Sequence, residues 1–324
     1  MKAYLDVVRE VLAHGTRKPN RTGVDTLSTF NWNYEIDVRQ GFPLLTTKEI
    51  SWKNIVVENL WFLSGDPRIG LLQKHKCKFW DPWADADGRV PSAYGNFWRH
   101  FPVHAPPGSD GVAYSDQIAW VLGEMKQNPM GRRLVVSAWA PGNAQTSKLP
   151  PCHCLFVFNV QLDEAGKPWL NLHLTQRSCD VALGVPYNIA GYAFLLELFA
   201  QLSGIPAARF AHTLIDAHVY TAKPDGSMAE YDHVPGLRQQ LEREPRPLPR
   251  LTISPAIKSL SDLGPLLEAS TEEVLAAFKL TGEGLPSSAR PTPSRSSSSV
   301  ARSSGSSGRR RSCATPRPSR RPGA

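Results

Sequence analysis

The spacing of apolar residues along the chain predicts several helices before any other feature is considered. Residues 1–14 carry apolar side chains at helical spacing and predict an amphipathic helix. Residues 53–63 form a mostly apolar run with a single carboxylate, Glu58, and predict a buried helix. Residues 188–202 are apolar on nearly all sides, which predicts a central helix that other elements cover.

Strand patterns occupy the middle of the chain. Residues 133–139 and 155–162 are rich in valine and other apolar residues and predict strands. After a turn at 163–168, residues 170–175 alternate with period two, which predicts a hairpin. The proline-rich segment 101–115 predicts a surface insertion. Because helices and strands do not alternate strictly, the pattern indicates an α+β fold.

Composition changes abruptly near residue 281. Residues 281–324 contain nine arginines and one acid, so they account for the whole formal net charge of +8. They also lack the apolar surface that would offset the entropy of ordering, which predicts a disordered tail over 282–324. A shifted reading frame in GC-rich DNA would also produce this composition. Residues 1–280 are formally neutral, so nucleic acid is expected only as a non-specific partner of the tail.

The chain carries no pattern typical of secretion or of a membrane span. No run approaches the roughly 20 apolar residues that cross a bilayer. The N-terminal helix mixes acidic and basic residues with apolar ones, unlike a signal peptide. Five cysteines, an odd number without regular spacing, argue against a disulfide framework. We therefore expect a cytoplasmic, reducing location and no membrane partner.

Cys152 is the first candidate for chemistry. It follows Pro150-Pro151 and precedes a predicted strand, so its side chain is aimed by a rigid turn. An inert buried cysteine is the alternative interpretation. Cys154, one residue further on, would share a face with Cys152 on a strand. A zinc site is disfavoured because no second cysteine pair stands at ligand spacing, and we predict no metal.

A second cluster of polar residues follows the hairpin. Arg177, Ser178, Asp180 and Asn188 lie just before or within the apolar helix, where charged groups are costly unless they are paired. Two interpretations stay open. Arg177 and Asp180 form a structural ion pair, or the arginine fork and the serine hydroxyl bind an anion such as phosphate.

Further segments complete a pattern. Taken together, the motifs closely resemble the thymidylate synthase family, and they appear in family order over residues 1–281. The matching blocks are Arg21-Thr-Gly, Gly41-Phe-Pro-Leu-Leu-Thr-Thr-Lys, Glu58 with Leu60-Trp-Phe-Leu-Ser-Gly, Trp80-Asp-Pro-Trp-Ala-Asp, Tyr94-Gly, Arg132-Arg133, Pro151-Cys-His, Gln176-Arg-Ser-Cys-Asp, Gly184-Val-Pro-Tyr-Asn-Ile-Ala, His218-Val-Tyr and Arg243-Glu-Pro-Arg-Pro-Leu-Pro.

The resemblance implies an activity, a fold and a set of partners. The implied reaction is reductive methylation of dUMP to dTMP through a covalent adduct with Cys152. The co-substrate is 5,10-methylenetetrahydrofolate, which leaves as dihydrofolate, and no metal is needed. The implied fold is one domain over residues 1–281, with a large mixed β-sheet and flanking helices. The implied assembly is a homodimer in which Arg132 and Arg133 act across the interface.

The resemblance also assigns roles to individual residues. The implied catalytic residues are Cys152, Glu58, Arg177, Asn188, Tyr94 and His153. The implied dUMP contacts are Arg21, Arg132, Arg133, Gln176, Arg177, Ser178, Asp180, Asn188, His218 and Tyr220. The implied folate contacts are Glu58, Trp80, Trp83, Asp180, Gly184 and Tyr187. An amide at residue 188 matches uracil, whereas an aspartate would indicate cytosine and a related hydroxymethylase.

Two positions depart from the family pattern. Family members end soon after Gly-Tyr-x-Pro-His-Pro with a short apolar segment that closes over the ligands, whereas here Leu280-Thr-Gly-Glu-Gly leads into the arginine-rich tail. Ile215 also stands where the family has glycine. We therefore expect dUMP binding with poor turnover. A nucleotide-binding protein without turnover remains the alternative.

Overall fold

A seven-stranded mixed sheet forms the centre of the molecule in the computed structural model. The structure describes residues 1–20, 23–104, 111–144, 147–223, 225, 232–283 and 285, all of which fall within one compact unit. The strands are β1 Thr16–Lys18, β2 Thr26–Asp37, β3 Phe101–Val103, β4 Ala113–Ser115, β5 Val135–Ser137, β6 His153–Leu162, β7 Pro168–Gln176, β8 Cys179–Asp180, β9 Ala207–Tyr220, β10 Arg250–Ile253 and β11 Phe278–Thr281.

Helices surround this sheet. The α-helices are α1 Lys2–His14, α2 Trp52–Ser64, α3 Gly70–Lys74, α4 Tyr94–Arg99, α5 Gln117–Gln127, α6 Pro141–Ala144, α7 Gly184–Ser203, α8 Val234–Leu241, α9 Gly264–Glu268 and α10 Thr271–Ala277. Within the described part of the chain, no helix combines the length and the apolar character that a membrane span needs.

The strand order is β1-β2-β9-β7-β6-β5, with β8 paired to β9 beyond the end of β7. Strands β7 and β8 run parallel to β9, and the other neighbours in the sheet are antiparallel. β10 with β11 and β3 with β4 form separate two-stranded ribbons. The predicted α+β class with a large mixed sheet is therefore confirmed.

The predicted helices are present with small differences in their bounds. α2 starts after Ser51, whose side chain accepts a hydrogen bond from the backbone of Asn54, and it ends at Gly65 in the left-handed conformation. α7 begins at Gly184, four residues earlier than predicted. Its first turn includes Pro186, which is tolerated there because the first backbone N–H groups of a helix have no intrahelical acceptor.

The predicted strands differ more. The strand expected over 133–139 is only Val135–Ser137, because it lies at the sheet edge and pairs with β6 alone. The segment expected to be a surface insertion, 101–115, contains the β3–β4 ribbon, and its residues 105–110 lie outside the described residues. Arg21 and most of the predicted tail, residues 284 and 286–324, also lie outside them.

Polar residues that are far apart in the sequence lie together at one end of the sheet. Gln176, the last residue of β7, pairs with His153 at the start of antiparallel β6. It also pairs with Leu214 of parallel β9, and Asp180 of β8 pairs with His218 further along β9. The chain reverses between β6 and β7, and β7 and β8 pair in parallel with β9. Three segments therefore meet at the same end of the sheet.

Candidate active site

A cavity of about 1050 Å³ opens at this end of the sheet. It brings together most of the side chains singled out from the sequence. Those that line it are Glu58, Trp80, Trp83, Tyr94, Cys152, His153, Gln176, Arg177, Ser178, Asp180, Gly184, Asn188, His218 and Tyr220. A smaller cavity of about 420 Å³ on another part of the sheet is lined by none of the residues singled out.

Three predicted residues lie elsewhere. Arg132 and Arg133 are exposed and do not line the cavity. Tyr187 is half-buried behind the wall, where its hydroxyl accepts a hydrogen bond from the backbone of Ser51. Its ring meets Phe79 edge to face, and Phe79 does line the cavity. Tyr187 therefore supports the wall rather than forming it.

The sulfur of Cys152 faces a positive charge. Arg177 Nη2 lies 3.9 Å from Sγ, and the same guanidinium donates to the carbonyl oxygens of Pro150 and Pro151 at 2.9 Å each. It also lies over the ring of Trp139. These contacts hold the guanidinium in place, so the proline pair that precedes the cysteine also orients the cation beside it. A cation next to a thiol favours the nucleophilic thiolate.

The ion pair left open between Arg177 and Asp180 is not formed between these described side chains. Asp180 Oδ1 instead accepts hydrogen bonds from the backbone N–H groups of Ala182 and Leu183, and it lies 3.8 Å from His233 Nδ1. The structure therefore leaves Arg177 beside the sulfur and among the residues that line the cavity, which is compatible with an anion-binding role.

A β-bulge separates the two neighbouring cysteines. The register between β6 and β7 shifts between His153 and Leu155, so Cys154 is the extra residue. Cys152 and His153 line the cavity, whereas Cys154 does not, and Cys154 Sγ points toward the backbone oxygen of Cys152. The expectation that both cysteines share a face is therefore wrong, because the bulge interrupts the alternation of the strand.

Glu58 lies on the aromatic side of the cavity. Trp80 Nε1 donates to Glu58 Oε1 at 2.7 Å. Burial raises the pKa of Glu58 to about 7, although the bond from Trp80 acts in the opposite direction. A carboxyl group with this pKa can accept and release a proton near neutral pH, which suits general acid–base work.

Tyr94 and His153 link this carboxyl side to the sulfur. Their rings stack at 4.4 Å, and the backbone N–H of Cys152 donates to the hydroxyl of Tyr94 at 3.0 Å. Burial lowers the pKa of His153 to about 4, so this ring is neutral at pH 7. Gly95 permits the placement of Tyr94, since a Cβ there would lie 2.2 Å from the backbone oxygen of Phe62.

No group of three or more histidine, cysteine or acidic side chains that could hold a metal ion occurs among the residues the structure describes. The chemistry within reach is that of a thiolate, a guanidinium, a titrating carboxyl group and an amide in one cavity.

Comparison with known proteins identifies the family. Residues 2–269 match the family model described as "Thymidylate synthase". The chain belongs to the thymidylate synthase family. A relative from Haloferax volcanii named "Thymidylate synthase" is 43% identical over an alignment that covers 77% of this chain and 87% of the relative. The resemblance found in the sequence motifs is thereby confirmed.

The cavity of this family member also contains residues that the motifs did not predict. Lys18, Asp216 and His233 line it, and Lys48 donates to the backbone oxygen of Ala182 close by. Asp216 was within reach of sequence analysis, because period-two alternation along β9 places it on the face that carries His218. Lys18 and His233 had no such signal, because their approach to the cavity depends on how distant segments pack.

Asp216 organises the polar side of the cavity. It accepts hydrogen bonds from Ser28 at 2.6 Å and from Lys18, and His218 Nδ1 lies 3.5 Å from its carboxylate. Burial acts to raise the pKa of Asp216, but the bonds from His218, Lys18 and Ser28 outweigh it and lower that pKa. The carboxylate therefore stays ionised and holds His218 against the cavity.

Proposed function

We propose that this chain is a thymidylate synthase that converts dUMP to dTMP, with 5,10-methylenetetrahydrofolate as co-substrate and dihydrofolate as second product. Such a methyltransferase supplies dTMP for DNA synthesis. The observation that carries the proposal is the position of Cys152, whose sulfur faces Arg177 inside a cavity that also contains Glu58 and Asn188. Membership of the family supports the same activity.

The dUMP phosphate would bind where positive charge converges. A phosphate monoester carries about −1.5 to −2 charges near neutral pH, so several cations are needed. Arg177 and Ser178 line the cavity from this chain, and we assign Arg21 to the same group. Arg132 and Arg133 would come from a second subunit, because they are exposed here and lie away from the cavity of their own chain.

The base and the sugar would bind deeper in the cavity. The amide of Asn188 offers one donor and one acceptor, which match O4 and N3–H of uracil. His218 and Tyr220 would contact the 3′-hydroxyl of the deoxyribose, and Gln176 and Asp180 would complete the nucleotide site. All five side chains line the cavity.

The chain's own groups suit the covalent mechanism. The Cys152 thiolate, favoured by Arg177, would add to C6 of the uracil and so make C5 nucleophilic. Glu58, with a pKa of about 7, would exchange protons with O4 through water, supported by Tyr94 and His153. C5 would bond to the methylene carbon of the folate and lose its proton to a base, and the bond from that carbon to the folate nitrogen would break. Hydride from the folate would then reduce the exocyclic methylene as Cys152 leaves as the thiolate. The folate co-substrate supplies the carbon and the hydride that become the methyl group.

The folate would occupy the aromatic side of the cavity. Trp80 and Trp83 present ring surface for a pterin, and Asp180 presents a carboxylate for its ring nitrogens. Gly184 and Glu58 line the same region, and Tyr187 supports it from behind. These groups fit a flat heterocycle with hydrogen-bond donors at one edge.

The decisive experiment measures dihydrofolate release from dUMP and methylenetetrahydrofolate. Cys152→Ala should abolish dTMP formation while leaving dUMP binding largely intact, because the phosphate ligands remain. Cys154→Ala is the matched control and should retain turnover, since Cys154 does not line the cavity. Turnover by Cys152→Ala, or its loss only in Cys154→Ala, would contradict the assignment.

A homodimer with shared sites is part of the proposal. Mixing inactive Cys152→Ala chains with inactive Arg133→Ala chains should restore activity, because one site of each heterodimer is then intact. Cys152→Ala mixed with Arg177→Ala is the control, since both residues serve the same site of one chain and no site is restored. Equal activity of the two mixtures after subunit exchange would contradict shared sites.

The domain boundary and the location of the protein are also proposals. We place the catalytic domain over 1–281 and the tail over 282–324, since the family match ends at residue 269 and β11 ends at Thr281. A cytoplasmic location is supported by the described cysteines, among which no disulfide forms. Fractionation of cells that express the full chain tests the location.

A further inference from the structure

A chain of hydrogen bonds crosses three neighbouring strands behind Asn188. Tyr34 of β2 lies opposite His212 of β9, and Gln176 ends the adjacent strand β7. The Tyr34 hydroxyl lies 2.7 Å from His212 Nδ1, and His212 Nε2 lies 3.0 Å from Gln176 Oε1. Gln176 Nε2 then lies 3.0 Å from Asn188 Oδ1. His212 is 1% and Gln176 2% exposed, so water does not replace these partners.

A backbone carbonyl sets the direction of this chain. Gln176 Nε2 lies 3.1 Å from the backbone oxygen of Ser178, an atom that can only accept. The amide nitrogen of Gln176 must therefore face Ser178, and its second hydrogen points at Asn188. The atom of Asn188 that meets it must be the acceptor Oδ1. The oxygen of Gln176 is left to accept from His212.

His212 must consequently carry its hydrogen on Nε2. Burial lowers the pKa of His212 well below its ordinary value, so the ring is neutral and Nδ1 is an acceptor. Burial also raises the pKa of Tyr34, which keeps the phenol protonated and able to donate to Nδ1. Every member of the chain thus has a single consistent role.

The orientation of the Asn188 amide decides which pyrimidine it matches. Uracil presents an acceptor at O4 and a donor at N3–H, whereas cytosine presents a donor at its 4-amino group and an acceptor at N3. A reversed amide would suit cytosine, but it would also point its NH₂ group at the NH₂ group of Gln176. The buried hydrogen bonds from Tyr34 to Asn188 therefore exclude the amide orientation that favours cytosine.

We propose that His212 and Tyr34 are positioning residues that fix the amide of Asn188 through Gln176 and thereby set the preference for dUMP over dCMP. Neither residue lines the cavity, so they act only through Gln176. The inference rests on the proposed function, in which Asn188 reads the base. It adds two residues, both remote in sequence, to the determinants of substrate choice.

The test compares the preference for dUMP over dCMP, measured both as a ratio of dissociation constants and as a ratio of kcat/KM. His212→Phe keeps the ring but removes both nitrogens, and we expect the preference to fall at least tenfold. Tyr34→Phe removes one hydroxyl, and we expect a fall of about threefold. His212→Gln retains a donor near Nε2 and should restore most of the preference.

His173→Phe is the matched control. His173 and Gln176 lie on opposite faces of β7. His173 Nε2 contacts Thr213 Oγ1 at 2.9 Å. Its substitution should leave the preference unchanged, since a purely structural loss lowers stability or the active fraction without altering a ratio. If His212→Phe does not fold, Tyr34→Phe and His212→Gln still provide the comparison.

Two outcomes separate the inference from the proposed function. If Asn188→Asp leaves the preference unchanged, Asn188 does not read the base and the proposed function is wrong at this residue. If Asn188→Asp shifts the preference but His212→Phe and Tyr34→Phe do not, base reading stands and the positioning role is overturned. The positioning role is supported if Asn188→Asp, His212→Phe and Tyr34→Phe all shift the preference and His212→Gln restores it.

Discussion

The two sides of the cavity shift the pKa of a carboxyl group in opposite directions. On the aromatic side, Glu58 has one described hydrogen-bond donor, Trp80, and burial raises its pKa to about 7. On the polar side, Asp216 is surrounded by Lys18, Ser28 and His218, and its pKa is lowered despite partial burial. The two side chains differ by one methylene group, so their neighbours must cause the difference.

This difference assigns the two sides different tasks. A carboxyl group that titrates near pH 7 can move protons during a reaction, whereas one that stays ionised can only hold other groups in place. We therefore expect the aromatic side to provide acid–base chemistry and the polar side to provide binding. The sulfur of Cys152 and the guanidinium of Arg177 lie in the same cavity as both.

The largest expected effect separates chemistry from binding. Glu58→Gln should lower kcat by roughly 10²–10⁴-fold, the range that general acid–base groups contribute, with little change in dUMP affinity. Asp216→Asn should mainly weaken dUMP binding, because His218 loses its anchor. Steady-state kinetics and dUMP titrations measure both. Equal losses of kcat in the two variants would show that the sides do not differ in task.

The next effect concerns stability on the polar side. Asp216→Asn should reduce the free energy of unfolding at neutral pH by about 1–2 kcal/mol, since charge-assisted hydrogen bonds are weakened. A carboxyl group whose pKa is lowered on folding stabilises the folded state at pH values above its unfolded pKa, here 3.8. That stabilisation is lost as the pH falls toward the folded pKa. The difference in the free energy of unfolding between Asp216→Asn and the parent protein should therefore become smaller as the pH is lowered. Urea unfolding at pH 7 and pH 3 measures it.

The aromatic side should show the opposite pH dependence. The pKa of Glu58 is raised from an ordinary value of 4.5 to about 7, so the folded state binds more protons than the unfolded state between these values. Stability should therefore decrease as the pH rises from about 4.5 to about 7. Glu58→Gln should flatten this slope, and an unchanged slope in thermal unfolding would place its origin elsewhere.

The smallest effect tests a single hydrogen bond. Trp80→Phe keeps an aromatic ring but removes the N–H that Glu58 accepts at 2.7 Å, and this bond lowers the pKa of Glu58. The pKa should rise further, because the bond from Trp80 is the contribution that opposes the effect of burial. The pH–rate profile should shift upward by the same amount. A downward shift would contradict the assigned direction.

Much of the molecule could be predicted from local pattern. The helix that contains Glu58, the β6–β7 hairpin and the polar cluster after Gln176 all follow from periodicity and turn residues, which depend on neighbours in sequence. The predictions were less accurate where a segment pairs with a strand that is distant in sequence. Strand β5 is shorter than expected because it is an edge strand, and the bulge at Cys154 depends on how β6 meets β7.

The fold class, the family and the side chains available for chemistry follow from the amino-acid sequence, because motif order and apolar spacing are properties of the chain alone. The surroundings of those side chains depend on tertiary structure. The pKa of Glu58 depends on the walls that exclude water, and the direction of the Asn188 amide depends on strands that bring Tyr34 to His212 across 178 residues. Desolvation and hydrogen bonding act between neighbours in space, and the sheet register supplies those neighbours.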